Sequence, residues 1–290
     1  MISKQPKVSI LCLAYRHQAY IVQALEGFLL QETDFPFEVL IGDDASDDDT
    51  PAIIQSYVER HPDIIKPVMH KTNRGAAGNL SSLVERIEGE YVAICDGDDF
   101  WTDPSKLQKQ VNFLEKDSSY TVCFHKVVQH FEDKSQPDSF IDPKALLPDV
   151  ASSRDYFVLG DLLRMNVIPS LSAMYRWKLG NQMPIWMLDY SICDLPLHLI
   201  HADGGKICYI DEVMGTYRRH SDGAWWNNHT VEHRKAHLRK YISLLQSTYQ
   251  YLNGRHSQSF EETIALCEEE WRRLASPLSG WKRYLKRVLK

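Results

Sequence analysis

Residues 95–101 read "CDGDDFW", three carboxylates around a glycine at the end of an apolar run. A second acidic group, "DDASDDDTP", follows another apolar run at residue 43. Asp96, Asp98 and Asp99 repel one another at neutral pH, so a site that collects them needs a positive partner. Mg²⁺ or Mn²⁺ meets that need, because both take oxygen ligands and keep open positions for substrate phosphates. Asp96 and Asp98 stand two apart, which in extended chain sets them on one side roughly 7 Å from each other. Both can grip one small ion only across a bend, and Gly97 permits one. The division this suggests has Asp98 on the metal and Asp96 accepting hydrogen bonds from a ribose or base. Neither Gly-x-Gly-x-x-Gly nor Gly-x-x-x-x-Gly-Lys-Ser/Thr occurs. A bound phosphate therefore has its charge offset by a cation rather than by a glycine-rich cradle.

The elements that position these groups follow from apolar patterning. "VSILCLA" (8–14) is a short unbroken apolar run, as expected of a strand covered on both faces, and "FEVLIG" (37–42) and "EYVAIC" (90–95) read as further strands. Between them lie helical stretches: one carrying Ile21, Leu25, Phe28 and Leu29, one opened by Thr50 and Pro51 as N-cap and first residue, and "AGNLSSLVERIEG", closed by Gly89. "IIKPVMH" reads as an edge strand because of Pro67. This alternation predicts a mostly parallel sheet covered by helices, with ligands bound at the carboxyl ends of the strands. Three strand ends then meet on one rim, bringing "AYR" (14–16), Asp43, Asp44, Asp96 and Asp98 together. Aspartates after strands also serve as turn formers and caps, but two such clusters on one rim favour a site.

Beyond the acidic turn, Asp103 and Pro104 are expected to begin a helix, and "YTVCFHKVVQHF" alternates like a half-exposed strand. Residues 132–155 read as a polar surface excursion. "SLSAMYRW", "CDLPLHLIHA" and "KICYIDEVMGTYRRH" read as strand, helix and strand. The expected division is a domain over 1–227, in a half over 1–103 and a half over 104–227, followed by a charged helical region over 228–290.

Composition excludes several classes. A net charge of −6 argues against a nucleic-acid binder, and 43% apolar residues suit a globular protein with a proper core. The six cysteines are scattered without paired zinc spacing, which points to buried thiols in a reducing compartment. The expectation is a cytoplasmic protein with no signal peptide and no membrane-spanning run.

Taken in order and spacing, "VSILCLAYRHQAYIVQALEGFLLQ", "FEVLIGDDASDDDT", "NRGAAGN", "GEYVAICDGDDFWTDPSKLQKQ" and "CDLPLHL…GKICYIDEVMGTYRRHSDGAWW" resemble the family-2 glycosyltransferases over roughly residues 7–227. The resemblance implies a GT-A fold, metal-dependent transfer with inversion, and a nucleotide-sugar donor, UDP first among the nucleotides. It is closest to bacterial enzymes of capsule or O-antigen synthesis, which implies a glycan or lipid-linked acceptor. By position it implies that Asp43, with the backbone of Ala14 and Tyr15 and with Arg16 nearby, receives the base. Asn73, Arg74 and Asn79 would line the nucleotide pocket, Asp96 and Gly97 would meet the ribose, and Asp98 would hold the metal. His220 would add a metal or diphosphate contact. Asp194 would be the general base, although Cys193 stands where many relatives carry a second acid. Asp99, Trp101, Trp225 and Trp226 are the candidates for sugar contact. For Trp225 and Trp226 a lid over sugar and a plug between body and tail stand side by side, and Asp194 also reads as a helix cap before Pro196.

The end of the chain, "GWKRYLKRVLK" (280–290), places Trp281, Tyr284, Leu285, Val288 and Leu289 at helical spacing against five basic residues. That suits either an anionic membrane surface, on the cytoplasmic face of the inner membrane, or packing on the protein's own domain. His229, His233 and His237 recur every four residues, a pattern read here as a polar helix face rather than a zinc site. The rival to an enzyme is a noncatalytic sugar-nucleotide or glycan-binding module at the membrane.

Overall fold

A computed structural model describes residues 5–191, 194–221, 223 and 230–275. The chain divides into two compact units, residues 1–220 and 221–290. In the first, β1 (Val8–Ala14), α1 (Ile21–Leu29), β2 (Phe37–Asp43), α2 (Thr50–Arg60), β3 (Ile65–Met69), α3 (Gly75–Val84) and β4 (Tyr91–Ile94) alternate as their sequences predict. There follow β5 (Phe100–Trp101), α4 (Lys106–Lys116) and β6 (Tyr120–Phe131). Residues 132–165 carry β7 (Ser139–Ile141), α5 (Pro143–Leu146), α6 (Pro148–Ser153), β8 (Tyr156–Phe157) and α7 (Leu159–Arg164). The unit closes with β9 (Met174–Arg176), α8 (Asp194–Ala202) and β10 (Lys206–Arg219). The second unit contains α9 (Val231–Tyr251) and α10 (Ser257–Ala275), whose buried residues include Leu244, Leu245, Phe260 and Leu274.

One mixed sheet runs β3-β2-β1-β4-β9-β6-β10-β5, with β7 beside β6 and β8 beside β10. β3, β2, β1 and β4 are mutually parallel, and β9 enters antiparallel between β4 and β6. Val8, Ile10, Leu11 and Cys12 of β1 are wholly buried because helices cover both faces of a parallel sheet. Ile21, Ala24, Leu25 and Phe28 recur on one face of α1 and seat that helix in the same core.

Several local expectations shift. The cap of α2 falls on Asp49, and Asp48 Oδ1 accepts the Thr50 N–H at 3.0 Å, so Thr50 is already helical. α4 starts after Ser105, whose N–H donates to Asp103 Oδ1 at 2.8 Å. α3 ends before Gly89, which serves close packing instead: a Cβ there would lie 2.5 Å from Ser9 N. β6 is buried from Thr121 to His125, since it lies inside the sheet between β9 and β10. The 132–155 excursion holds a strand and two short helices. In "SLSAMYRW" a 3₁₀ turn, Ser170–Ser172, precedes a three-residue strand.

Cys12, Cys95, Cys123, Cys208 and Cys267 are free thiols, the first four buried. Burial pushes the Cys12, Cys95 and Cys123 thiols well up, which keeps them protonated and unreactive.

Candidate active site

Parallel pairing in register sets the ends of β2, β1 and β4 along one edge, with Ala14 opposite Asp43 and Leu11 opposite Ile94. Main-chain bonds carry the pairing into the turns. The Asp44 N–H donates to Ala14 O at 2.9 Å, Cys95 N–H to Leu11 O at 3.0 Å and Gly97 N–H to Leu13 O at 2.8 Å. Gly97 is needed for space rather than for a positive φ. A Cβ there would lie 2.7 Å from Ile21 Cδ1 and 2.9 Å from His17 Nδ1.

Asp98 stands between two imidazoles. Its Oδ2 accepts from His220 Nε2 at 3.1 Å, and His17 Nε2 lies 3.7 Å away. Burial alone would raise the Asp98 carboxyl. The His220 hydrogen bond and the imidazoles' charge outweigh it and hold the group below the ordinary carboxylate range. Burial depresses His17 despite the neighbouring Asp98. The outer nitrogens of both rings, Nδ1 of His17 and of His220, are buried and without hydrogen-bond partners among the described residues.

Asp96 differs in kind. Burial, then the charges of Asp98 and Asp194, push it up to about 8, and its Oδ1 has no partner among the described residues. That Asp194 contributes to this shift ties the start of α8 to the acidic turn, which sequence distance alone does not reveal. Asp194 is the first described residue of α8 and is already helical, with Pro196 in the same first turn, so the cap position before it falls outside the described residues.

The other expected site residues separate into rim and frame. Tyr15 is 40% exposed on the rim. Arg16, at φ 56°, pairs through two nitrogens with Asp47 at 2.6 and 2.7 Å. Asp43 accepts from Ser46 N–H and Oγ–H at 3.1 and 2.6 Å and shapes the turn from within. Asn73 Nδ2 donates to Asp44 O at 3.1 Å, and the Arg74 N–H donates to Asp44 Oδ1 at 2.7 Å. The Arg74 guanidinium is drawn to Ser82 Oγ, 2.6 Å away.

Three expectations need correction. Asn79 is buried, donates to Gly42 O at 2.8 Å and meets His70 Nε2 at 3.1 Å, so it clamps α3 to β2 instead of lining an open pocket. Asp99 is buried and accepts the Arg218 N–H at 2.8 Å; burial, then the Asp98 charge, push its carboxyl well up. Trp101 is 2% exposed, donates Nε1–H to Leu171 O at 2.8 Å and packs edge-on against Phe28. Neither Asp99 nor Trp101 offers a surface to sugar. Trp225, Trp226, Cys193, His229 and residues 280–290 lie outside the described residues. His17 and Arg218 are functional candidates that patterning missed; the signal was present in "YRHQ" and "YRRH", but only folding brings His17 to the Asp98 carboxylate and the Arg218 guanidinium to the Asp98 main-chain carbonyl.

The donor set fits a divalent ion that takes part of its shell from a ligand. Asp98 offers carboxylate oxygen and His220 imidazole nitrogen, both accepted by Mn²⁺, and Asp96 Oδ1 is buried without a partner among the described residues. Among the described residues no group of three or more His, Cys, Asp or Glu side chains is placed to hold a metal ion, so any ion would draw most of its shell from a ligand or water. Mg²⁺ and related ions in phosphate sites commonly keep positions for substrate oxygens.

The parallel half-sheet, the mixed second half and the acidic rim define a GT-A fold. Solved structures share it: TarS of S. aureus with UDP, at TM-score 0.62 and 18% identity, covers 93% of this chain and 72% of that one. The mannosyltransferase PcManGT of Pyrobaculum calidifontis, with GDP-Man and Mn²⁺, aligns at TM-score 0.61 and 20% identity over 99% of this chain and 81% of its own. The sequence profile "Glycosyl transferase family 2" matches residues 9–177, more than half of the chain, and the protein belongs to that family. An uncharacterized protein of Mycobacterium tuberculosis is 40% identical over 229 residues, 77% of this chain, which spans 62% of that relative's length. TuaG of Bacillus subtilis, named as a glycosyltransferase of teichuronic acid biosynthesis, is 32% identical over 63% of this chain and 68% of its own. Asp194 and His220 lie beyond the profile match.

Proposed function

We propose that the protein transfers a sugar from a nucleotide donor, a UDP-sugar first, to a glycan or lipid-linked acceptor in bacterial surface-polysaccharide synthesis, inverting the anomeric centre. The observation that carries this reading is Asp98, held ionised between His17 and His220 in the same acidic turn as Asp96, whose carboxyl also feels the Asp194 charge, in a family-2 chain. Neighbours of this fold bind UDP, UDP-GlcNAc and GDP-Man, which supports a nucleotide-sugar donor.

In this reading the base rests against the backbone of Ala14–Arg16 and the Asp43 turn, with the Tyr15 ring and Arg16 on its open side. Asn73 and Arg74 flank the same pocket. Asp96 accepts from ribose hydroxyls, an approach that gives its unpartnered oxygen a donor. Asp98 and His220 hold Mn²⁺ or Mg²⁺, which when bound offsets the charge that a departing nucleoside diphosphate gains. Asp194 takes the proton of the attacking acceptor hydroxyl, a role that contributes ~10²–10⁴-fold. A single displacement opposite the leaving group inverts the sugar. Attachment of the basic stretch 280–290 to an anionic surface would bring the site to a lipid-linked acceptor. Among the described residues no helix is long and apolar enough to cross a membrane.

The test is a panel of sugar nucleotides with and without Mn²⁺, read first as protection against thermal unfolding and then as transfer. Asp98→Ala should lose cation-dependent protection and turnover. Asp194→Asn should keep protection and lose transfer by ~10²-fold or more. Transfer by Asp194→Asn at the wild-type rate removes the base assignment. Donor protection with no transfer to any acceptor would favour a binding module.

A further inference from the structure

Arg218 stands two residues before His220 on β10 and is 8% exposed. Hydrogen bonds tie it to four separate groups. Its main-chain N–H donates to Asp99 Oδ1 and its Nε–H to the Asp98 main-chain carbonyl, each at 2.8 Å. One terminal nitrogen donates to Glu132, just past β6, and the other to Gln23 Oε1 on α1 at 2.5 Å. The guanidinium carbon lies 4.7 Å from the Tyr20 ring centre and 5.0 Å from that of Phe100. The Tyr20 ring in turn lies 4.6 Å from the His220 imidazole.

These contacts have one geometric result. Asp98, through its main-chain carbonyl, and Asp99, through its carboxylate, are fastened to the strand that leads into His220. The 3.1 Å approach of His220 Nε2 to Asp98 Oδ2 is therefore set by Arg218 from behind both residues. A planar, permanently charged fork can hold a carbonyl, a carboxylate and an amide at once; an ammonium on a flexible stem cannot. The outer end of the guanidinium opens on a cavity of about 450 Å³ lined by Gln23, Phe100, His130, Glu132 and Asp138 among others. Loosening a contact at that end leaves the core packing undisturbed.

We propose that Arg218 is a positioning residue for the cation site: it fixes the spacing of Asp98 and His220, and so sets cation affinity without touching cation or donor. This inference rests on the nucleotide-sugar transferase reading above. The experiment titrates Mn²⁺ against wild type, Arg218→Lys and Glu132→Gln, reading direct Mn²⁺ binding by water-proton relaxation with UDP present. Donor turnover and the thermal midpoint are recorded for the same samples. Arg218→Lys should raise half-saturating Mn²⁺ roughly 10-fold or more, the usual cost of losing support behind a metal ligand. Glu132→Gln should shift it the same way by less. Excess Mn²⁺ should restore donor KM in both variants, which a general loss of stability does not produce. A lowered midpoint with unchanged half-saturation in Arg218→Lys overturns the inference. Should that variant fail to fold, unchanged half-saturation in Glu132→Gln, whose side chain is 34% exposed, overturns it equally. A wild-type protein with no Mn²⁺-dependent UDP binding refutes the transferase reading itself, a result distinct from variants that merely match a responsive wild type.

Discussion

Lys106 shows how far the fold controls a single side chain. It is fully buried, its Nζ donates to Gln110 Oε1 at 2.7 Å, and it lies 3.8 Å from the Trp101 ring centre. Burial lowers it from 10.5 to about 7. Between those values the unfolded chain holds a proton that the folded protein has released, so stability rises with pH across that window and falls as pH drops toward 7. The span is on the order of a few kcal/mol. Lys106→Met should therefore flatten the rise in urea-unfolding stability between pH 7.5 and 9.5. It also leaves Gln110 Oε1 without its donor, at about 1–3 kcal/mol, a cost that does not vary with pH over this range. A slope equal to the wild type's would show that the amine is not held neutral. At this scale the sequence was legible where chemistry and spacing coincide. Asp98 could be named from its turn, whereas Lys106 looks like any surface lysine at the start of a helix. The roles of Asn79, Asp99 and Trp101 were not legible either, because their partners Gly42, Arg218 and Leu171 are far along the chain.

Among elements, the pairing of β1 with β4 is what holds the turn after β1 in line with the acidic turn after β4. Gly89 guards the entry to that pairing. Its N–H donates to Ser9 Oγ at 2.9 Å, and a Cβ would come 2.5 Å from Ser9 N and 2.8 Å from Val8 C. Backbone atoms cannot swing aside as a side-chain end can, so Gly89→Ala must part the strands or bend the approach to β4. The expected loss is about 1–3 kcal/mol in urea unfolding, the usual range for overpacking. Because β4 leads directly into "DGDD", half-saturating Mn²⁺ for UDP binding should rise as well. Unchanged stability and unchanged Mn²⁺ response would show that the approach yields freely. The strands themselves were plain in the sequence, since apolar runs leave few alternatives. The stop of α3 was not: Gly89 resembles a helix terminator, yet it is fixed by a neighbour on β1 eighty residues earlier.

Across the molecule, alternation foretold the parallel half-sheet and the convergence at its rim, but not how the second half joins it. β9 is three residues long and pairs with both β4 and β6; "SLSAMYRW" reads as a strand, but nothing local assigns it that place in the sheet. Buried titratable groups are spread in the same way, and together they set the response to acid. His125 on β6 and His198 and His201 on α8 are all depressed, first of all by burial, His201 to about 3. His201 meets Leu197 O through Nδ1 at 2.8 Å, and its Nε2 accepts the Lys178 N–H at 3.3 Å. It also stacks on Trp177, so a second ring proton has no place. The unfolded chain protonates near 6.5 while the folded one does not; this stability is complete above 6.5 and is lost as pH falls toward 3. Asp96 and Asp99 act in the opposite sense, since raised carboxyls stabilise at acid pH and lose that contribution as pH rises, through about 8 for Asp96. The net slope is a difference of these opposing contributions, and a single variant isolates one of them. His201→Gln removes the imidazole and leaves the carboxylates as they are. Its stability relative to wild type should improve by about 2 kcal/mol between pH 7.5 and 5 in urea unfolding. A difference that stays constant over that range would mean that His201 takes its proton in the folded protein, in conflict with the two hydrogen bonds that now fix its tautomer.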